Sequence, residues 1–335
     1  MGKSYAVYLS SLLLFGSNGI VAALVALPSL DIVVARTLLG SLFLGALLGA
    51  LALARRRKTA RSEEGVGAHA AIEAAPAGKH AALALQLCAG AALGASWICL
   101  FEAYRLVGVG TASLIYYCGP VIVMALSPLL FSEKLDAAKV AGFATVAGGA
   151  FLVSAQALEG GNDPHGIFLG AASAVLYAAM VICSKKAALA CPQRGDSGIR
   201  GTFVQLAAGF LVSAGFLAIT QGPTALAIPV SAGDIAPLLM LGVVNTGLGC
   251  LMYFTSIGRL PVQTVAICGY LEPLSAVALS ALILGEPMGP AQIAGAALIV
   301  GGAAFGELSG SKAAKRIIGK RTEVPAAPES SRKLA

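Results

Sequence analysis

Glu272 stands inside an apolar run that extends from residue 263 to 284. About nine residues separate it from the start of that run, a depth of roughly 13 Å at 1.5 Å of helix rise per residue. An acidic side chain at such a depth in hydrocarbon costs on the order of 3 kcal/mol on insertion scales, so it has to face other protein or water. Two roles suit it: a cavity carboxylate that binds a cationic group of a solute or carries a proton, or a protonated or paired carboxyl that joins two helices. Tyr270 lies at the same level, and Tyr116 and Tyr117 stand one turn before Pro120 in an earlier run. Rings with a polar tip hold amphipathic organic molecules, and they also fill cores.

Other polar residues interrupt apolar runs in the same way. Asn18 follows Gly16, Asn245 and Thr246 sit together, and Tyr253 comes seven residues after Thr246. Trp97 shares a helix face with Gln86, and Tyr177 shares one with Ser173. Buried amides and hydroxyls need partners, either on a neighbouring helix or on a solute. Arg36 lies about five residues inside the end of its run. Its stem can snorkel to the headgroups there, or the cation can pair with Glu102 or capture an anion at the outer mouth.

Chemistry of soluble enzymes has no foothold. His69, His80 and His165 all lie outside the apolar runs, and no Gly-rich phosphate loop, His-Glu-x-x-His or nucleophile elbow occurs. The seven cysteines show no paired spacing, which implies neither a disulfide framework nor a metal site. No cofactor is expected.

The elements that carry these residues follow from composition. The 335 residues are 57% hydrophobic and 12% charged, with a mean hydropathy of +0.84, well above the balance of soluble domains. A spanning helix needs about 20 apolar residues. Ten stretches qualify: 5–26, 31–53, 81–101, 110–131, 138–157, 166–184, 200–220, 235–256, 263–284 and 289–308. They are continuous, unlike the alternating segments of a membrane β-barrel. The first is too long for a signal peptide and is read as a retained helix. Residues 54–80, a basic loop rich in Ala and Gly, and the tail 309–335 read as disordered.

Net charge is +7, yet its distribution points away from nucleic acid. With the N-terminus inside, 21 of the 23 Lys and Arg fall in cytoplasmic segments, leaving Arg36 and Arg105 toward the other side. The positive-inside rule then places both termini in the cytoplasm of a cell with a bacterial-type inner membrane.

An internal repeat divides the chain. At a constant offset of 153 residues, Phe101 aligns with Phe254, Thr111 with Thr264, Tyr117 with Tyr270, Pro120 with Pro273, Glu133 with Glu286 and Gly142 with Gly295. The repeat therefore holds five helices, residues 1–157 and 158–308, and an odd number inverts the second copy in the membrane. Inverted repeats characterise secondary transporters, with the site near the midplane between the halves. Pro120 and Pro273 kink spans 4 and 9, either for packing alone or beside a water-filled cavity. Gly302 and Gly306 provide a small-residue face for packing within the chain or for a weak homodimer.

The ordered motifs resemble the EamA family of the drug/metabolite transporter superfamily. They are Leu271-Glu272-Pro273, Leu284-Gly285-Glu286-Pro287 and Ala294-Gly295 through Gly301-Gly302 in the second half. The first half contributes Phe15-Gly16-Ser17-Asn18-Gly19, Ala35-Arg36-Thr37, Pro120 and Glu133. The resemblance implies an all-α membrane protein of ten helices, alternating access, and export more often than uptake. The expected partners are the bilayer and a small amino-acid-like or amphipathic metabolite, with a proton coupled through Glu272. The rival classes are an intramembrane lipid-modifying enzyme, which should show clustered His, Asp or Cys, and a non-transporting sensor or scaffold.

Overall fold

The computed structural model describes residues 2–63, 78–155, 163–191, 196–228, 230–284 and 289–322. Among the described residues, eight helices are long and apolar enough to cross a membrane. They are span 1 (Gly2–Ala23), span 2 (Ser29–Arg57), span 3 (Lys79–Gly108), span 4 (Thr111–Phe131), span 6 (Pro164–Ala190), span 7 (Ser197–Gln221), span 8 (Ile235–Ile257) and span 9 (Val262–Ile283). Two shorter apolar helices, Ala137–Leu152 and Pro290–Gly306, take the places of spans 5 and 10. No strand occurs among the described residues. Large apolar side chains such as Ile219, Leu282 and Leu129 are exposed on the perimeter, a surface suited to lipid tails rather than water.

Packing obeys the repeat. Span 3 packs on spans 6 and 7, and its equivalent span 8 packs on spans 1 and 2; span 4 meets span 6 as span 9 meets span 1. Three pairs of equivalents, 2 with 7, 4 with 9 and 5 with 10, meet each other and so lie on the pseudo-two-fold axis. The crossing of spans 5 and 10 shows this in detail. An added methyl at Gly142 would stand 2.7 Å from the Gly302 carbonyl oxygen, and one at Gly149 would stand 2.7 Å from the Gly295 carbonyl oxygen. Gly142 and Gly295 are equivalents, as are Gly149 and Gly302, so the helices cross antiparallel with backbone on backbone. The small-residue face on span 10 is thus used within the chain, since Gly306 also lies against Gly142.

Several spans are not continuous helices. Span 1 breaks at Ser17, between Gly2–Gly16 and Asn18–Ala23. Span 4 breaks at Tyr117 and span 9 at Tyr270. Within span 8, Met240–Leu248 is π-helix, a wider winding that occurs mostly at functional sites. Gly108, at φ 80° and ψ 158°, makes the sharp link between spans 3 and 4 that a side chain would strain.

Helix extends beyond two expected limits. The helix of span 2 continues to Glu63 and that of span 10 to Thr322. Ala, Lys and Arg dominate both extensions, and these residues favour helix where packing does not decide. Residues 64–77 of the basic loop and 323–335 of the tail lie outside the described residues.

Candidate functional site

Proline sets the geometry of the two axial breaks. It has no N–H to donate and its ring crowds the carbonyl one turn earlier. Both helices therefore stop three residues before it, at Tyr117 (φ −68°, ψ −2°) and Tyr270 (φ −70°, ψ −6°). Each then restarts with proline in its first turn, where no intrahelical donor is needed. The Tyr270 hydroxyl donates to the Tyr117 carbonyl at 2.7 Å, tying one break to the other.

Six tyrosines form an arc around these breaks. The Tyr8 and Tyr253 rings lie 5.4 Å apart, and the Tyr177 and Tyr253 hydroxyls share a hydrogen bond of 3.1 Å. Tyr177 meets Tyr116 edge to face at 5.3 Å, Tyr116 meets Tyr117 at 5.9 Å, and Tyr117 meets Tyr270 at 6.2 Å. Tyr8 donates to the Val265 carbonyl at 2.8 Å, crossing from span 1 to span 9. Tyr116, Tyr117 and Tyr177 keep accessible surface despite their central position, so part of the arc faces open space rather than packed core.

A polar cluster stands beside the arc. Asn245, fully buried in the π-helical turn, donates through Nδ2 to the Leu14 carbonyl, Ser17 Oγ and Asn18 Oδ1 at 2.9–3.1 Å. Its Oδ1 is buried without a partner among the described residues. Arg36 reaches into the same cluster. Its Nε donates to Thr246 Oγ1 at 2.9 Å, its Nη2 donates to Asn18 Oδ1 at 3.3 Å, and the guanidinium lies 4.5 Å over the Trp97 ring. A desolvated cation–π contact of this kind contributes about 2 kcal/mol. The expected place of Arg36 at the outer mouth is corrected: it points inward, is 6% exposed, and Glu102 pairs with Arg105 instead. Side-chain acceptors on the π-helical turn and just after the break at Ser17, Thr246 Oγ1 and Asn18 Oδ1, hold the guanidinium there.

Glu272 opens the second segment of span 9, half-buried and with no hydrogen bond from its side chain to the described residues. It interacts electrostatically with Arg36 without forming an ion pair, and also with Tyr116, Tyr117 and Tyr177. The carboxyl is thus coupled electrostatically both to the arc and to Arg36 of the polar cluster. Its repeat-equivalent is Gly119, where an added methyl would come within 2.6 Å of Tyr177 Cδ1. The tyrosine ring occupies the space that a second carboxyl would need.

The two faces of the bundle differ. On the basic face, Glu133 accepts from the backbone N–H groups of Val262 and Gln263 at 2.8 and 3.2 Å, capping the start of span 9. Gln263 donates to Ser127 Oγ and the Lys134 carbonyl and accepts from Lys139 Nζ. Lys185, 7% exposed, donates to the carbonyls of Ile257, Gly258 and Leu260 at the end of span 8. Arg55 pairs with Asp196 at 2.7 Å. On the opposite face a cavity of about 660 Å³ opens between spans 2, 3 and 7, with Tyr104, Glu102 and Arg105 in its lining. Ile98 also lines it, one residue from the Trp97 that supports Arg36. Nearby, Asp234 accepts from the Ala26 N–H and the Ser231 hydroxyl, which hold its carboxyl below the usual carboxylate range.

All nine polar residues expected in a cavity, Asn18, Trp97, Tyr116, Tyr117, Tyr177, Asn245, Tyr253, Tyr270 and Glu272, lie in or beside this assembly. Ser96 and Ser173 bond each other across spans 3 and 6 instead. Tyr8, Ser17 and the capping roles of Glu133 and Lys185 were not anticipated. No group of three His, Cys, Asp or Glu among the described residues can hold a metal ion.

Comparison with known proteins agrees with this architecture. The profile of the EamA-like transporter family matches residues 2–155 and again residues 164–306. The chain is 25% identical over 300 residues to "Uncharacterized transporter YxxF" of Bacillus subtilis (strain 168), covering 88% of this chain and 86% of the relative. It is 30% identical over 196 residues to "Probable amino-acid metabolite efflux pump" of Salmonella typhimurium, covering 58% of this chain and 65% of that protein. A crystal structure shares the fold at a TM-score of 0.69 and 20% identity, covering 91% of this chain and 98% of the solved one.

Proposed function

Because the chain belongs to the EamA-like transporter family, we propose that it exports a small amino-acid-like or amphipathic metabolite across the inner membrane by alternating access, with both termini in the cytoplasm. That it is a multi-pass membrane transporter follows from the family; substrate, direction and coupling are our reading. The carrying observation is the mid-depth assembly of Arg36, Glu272 and the tyrosine arc on spans contributed by both halves. A charge in hydrocarbon is expensive and is retained where it serves a pathway. Broken helices beside it are tolerated where backbone lines a cavity.

The asymmetry of the faces supports a two-sided cycle. Hydrogen bonds close the basic face, which the positive-inside rule assigns to the cytoplasm, while a cavity of about 660 Å³ indents the other. We read this as an outward-facing arrangement. Rocking one five-helix half on the other about the axial pairs would open the basic face. Glu272 carries the coupled proton in this reading. Export is supported by the efflux name of one relative.

The test is a metabolomic comparison of medium and cytoplasm between overexpressing and deleted cells, followed by flux measurements with the purified protein in liposomes. Specific external accumulation of an amino-acid-like compound is expected. Internal accumulation would reverse the direction, and no solute moved in either system would remove the transport reading itself.

A further inference from the structure

We infer that the gate on the basic face is a two-charge clasp on the turn between spans 8 and 9, in which Glu133 is the latch that releases when the gate opens and Lys185 is a pin that stays in place. This rests on the transport reading above and names the contacts that change in its cycle.

The first N–H groups and last carbonyls of a helix lack partners within it. Span 9 begins after Pro261, which provides no side-chain cap, where Ser, Thr or Asp would serve a helix that needed only a local start. Its cap comes from 129 residues away: Glu133 accepts from the Val262 N–H at 2.8 Å and from the Gln263 N–H at 3.2 Å, one bond to each carboxylate oxygen. On the other side of the turn Lys185, 7% exposed, donates to the carbonyls of Ile257, Gly258 and Leu260. An anion at a helix start and a cation at a helix end each face a favourable dipole. The turn is thus held at both ends by opposite charges that it does not itself carry.

The two charges differ in where they are anchored. The family profile matches residues 2–155 and 164–306, so Lys185, on span 6, belongs to the same half as the turn it holds. An added methyl at Gly258 would stand 2.9 Å from the Ala188 side chain, so span 6 and the turn are also packed together. Rocking one half on the other moves these groups as one body. Glu133, at the end of span 4, belongs to the first half. Gln263 reinforces the same junction: fully buried, it donates to Ser127 Oγ and the Lys134 carbonyl and accepts from Lys139 Nζ, all three in the first half. Five hydrogen bonds therefore cross between the halves and converge on Val262 and Gln263. Opening the basic face breaks these five and spares the three of Lys185. Lys185 and Glu133 attract each other without forming an ion pair among the described residues, so the pin supports the latch only at a distance.

The experiment places nitroxide labels on the full-length protein in liposomes through Leu135→Cys and Leu189→Cys, with the seven native cysteines replaced by alanine. Both positions are exposed, at 45% and 57%, and they lie one in each half beside the gate, so the distance between labels reads its opening. Glu133→Gln keeps the shape of the latch and removes its charge; it is expected to move the labels from the short to the long distance, raising the ratio of open to closed protein roughly tenfold. Gln263→Ala should shift the distances in the same direction, and it carries the test if Glu133→Gln does not fold. Lys185→Met should lower the melting temperature while the distances stay short. A merely structural clasp would lose stability in all three variants with no change of distance. That result overturns the proposal, as does a lengthening in Lys185→Met equal to that in Glu133→Gln. Solute flux in the same liposomes keeps the two readings apart: flux in the unmodified protein with unshifted distances in the variants removes the latch and leaves transport standing, whereas no flux of any solute removes the transport reading and the latch with it.

Discussion

The Tyr270 hydroxyl donates to the carbonyl of Tyr117 at 2.7 Å, and each residue is the repeat-equivalent of the other, 153 positions apart. The two halves of the chain are therefore stitched at the same point of each, on the pseudo-two-fold axis. Since both residues mark helix breaks with matching backbone angles, the bond links the breaks of spans 4 and 9. Tyr270→Phe keeps the ring and removes the bond. A buried hydrogen bond of this type contributes about 1 kcal/mol, so we expect a modest fall in melting temperature together with altered exchange rates in liposome counterflow. Unchanged counterflow would separate this bond from the conformational cycle.

Span 5 and span 10 supply a sharper contrast. Gly142 and Gly149 face backbone across the crossing, whereas Gly148 and Gly301 have no atom within 4 Å of an added methyl. Gly142→Ala and Gly149→Ala should each destabilise the protein by roughly 1–3 kcal/mol through overpacking. Gly148→Ala and Gly301→Ala should change stability by about 0.5 kcal/mol or less. Thermal unfolding of the four purified variants checks this, and a uniform loss at all four positions would contradict the crossing described here.

Replacing Glu272 with Gln preserves shape and removes the titration. If Glu272 carries the coupled proton, transport by Glu272→Gln should lose its pH dependence and retain at most exchange of one substrate molecule for another. Flux measured in liposomes with and without a pH gradient decides it. Unaltered pH dependence would sink the coupling role.

Asp234 gives a pH effect whose sign follows from its contacts. The Ser231 hydroxyl and the Ala26 amide depress its folded carboxyl, so its stabilisation is present above the unfolded value of about 3.9 and is lost as pH falls through the lower folded value. Asp234→Asn should therefore lower the melting temperature at pH 7, and the difference from the unmodified protein should shrink as pH falls below about 3.9. An equal loss on both sides of that value would assign the effect to geometry rather than charge.

Much of the scaffold could be read in the sequence because its causes are local or repeated. Length and hydropathy mark the spans, and Pro120 and Pro273 mark the breaks, which the structure places three residues earlier because the crowding acts on the preceding turn. Arg36 was harder. Sequence gives its distance from a helix end but not that Asn18, Thr246 and Trp97, on three other spans, converge on it. Tyr8 was invisible for the same reason, since its carbonyl partner Val265 lies 257 residues away. The caps by Glu133 and Lys185 depend on which helix ends meet, which is tertiary information. The π-helix in span 8 coincides with the tertiary bonds of Asn245 and the close approach of span 2 at Gly242 and Gly247, contacts that sequence does not display.

The self-consistent pairing of equivalent spans has an energetic corollary. In the proposed cycle, exchanging the conformations of the two halves converts one end state into the other and leaves the inventory of helix contacts nearly unchanged. Perfectly equivalent halves would make the two states degenerate, with no resting preference. Any preference must then come from positions where the copies differ, chiefly Glu272 against Gly119 and Tyr116 against Gly269. Those same positions line the site, so the bound solute acts on the residues that set the balance between the two states.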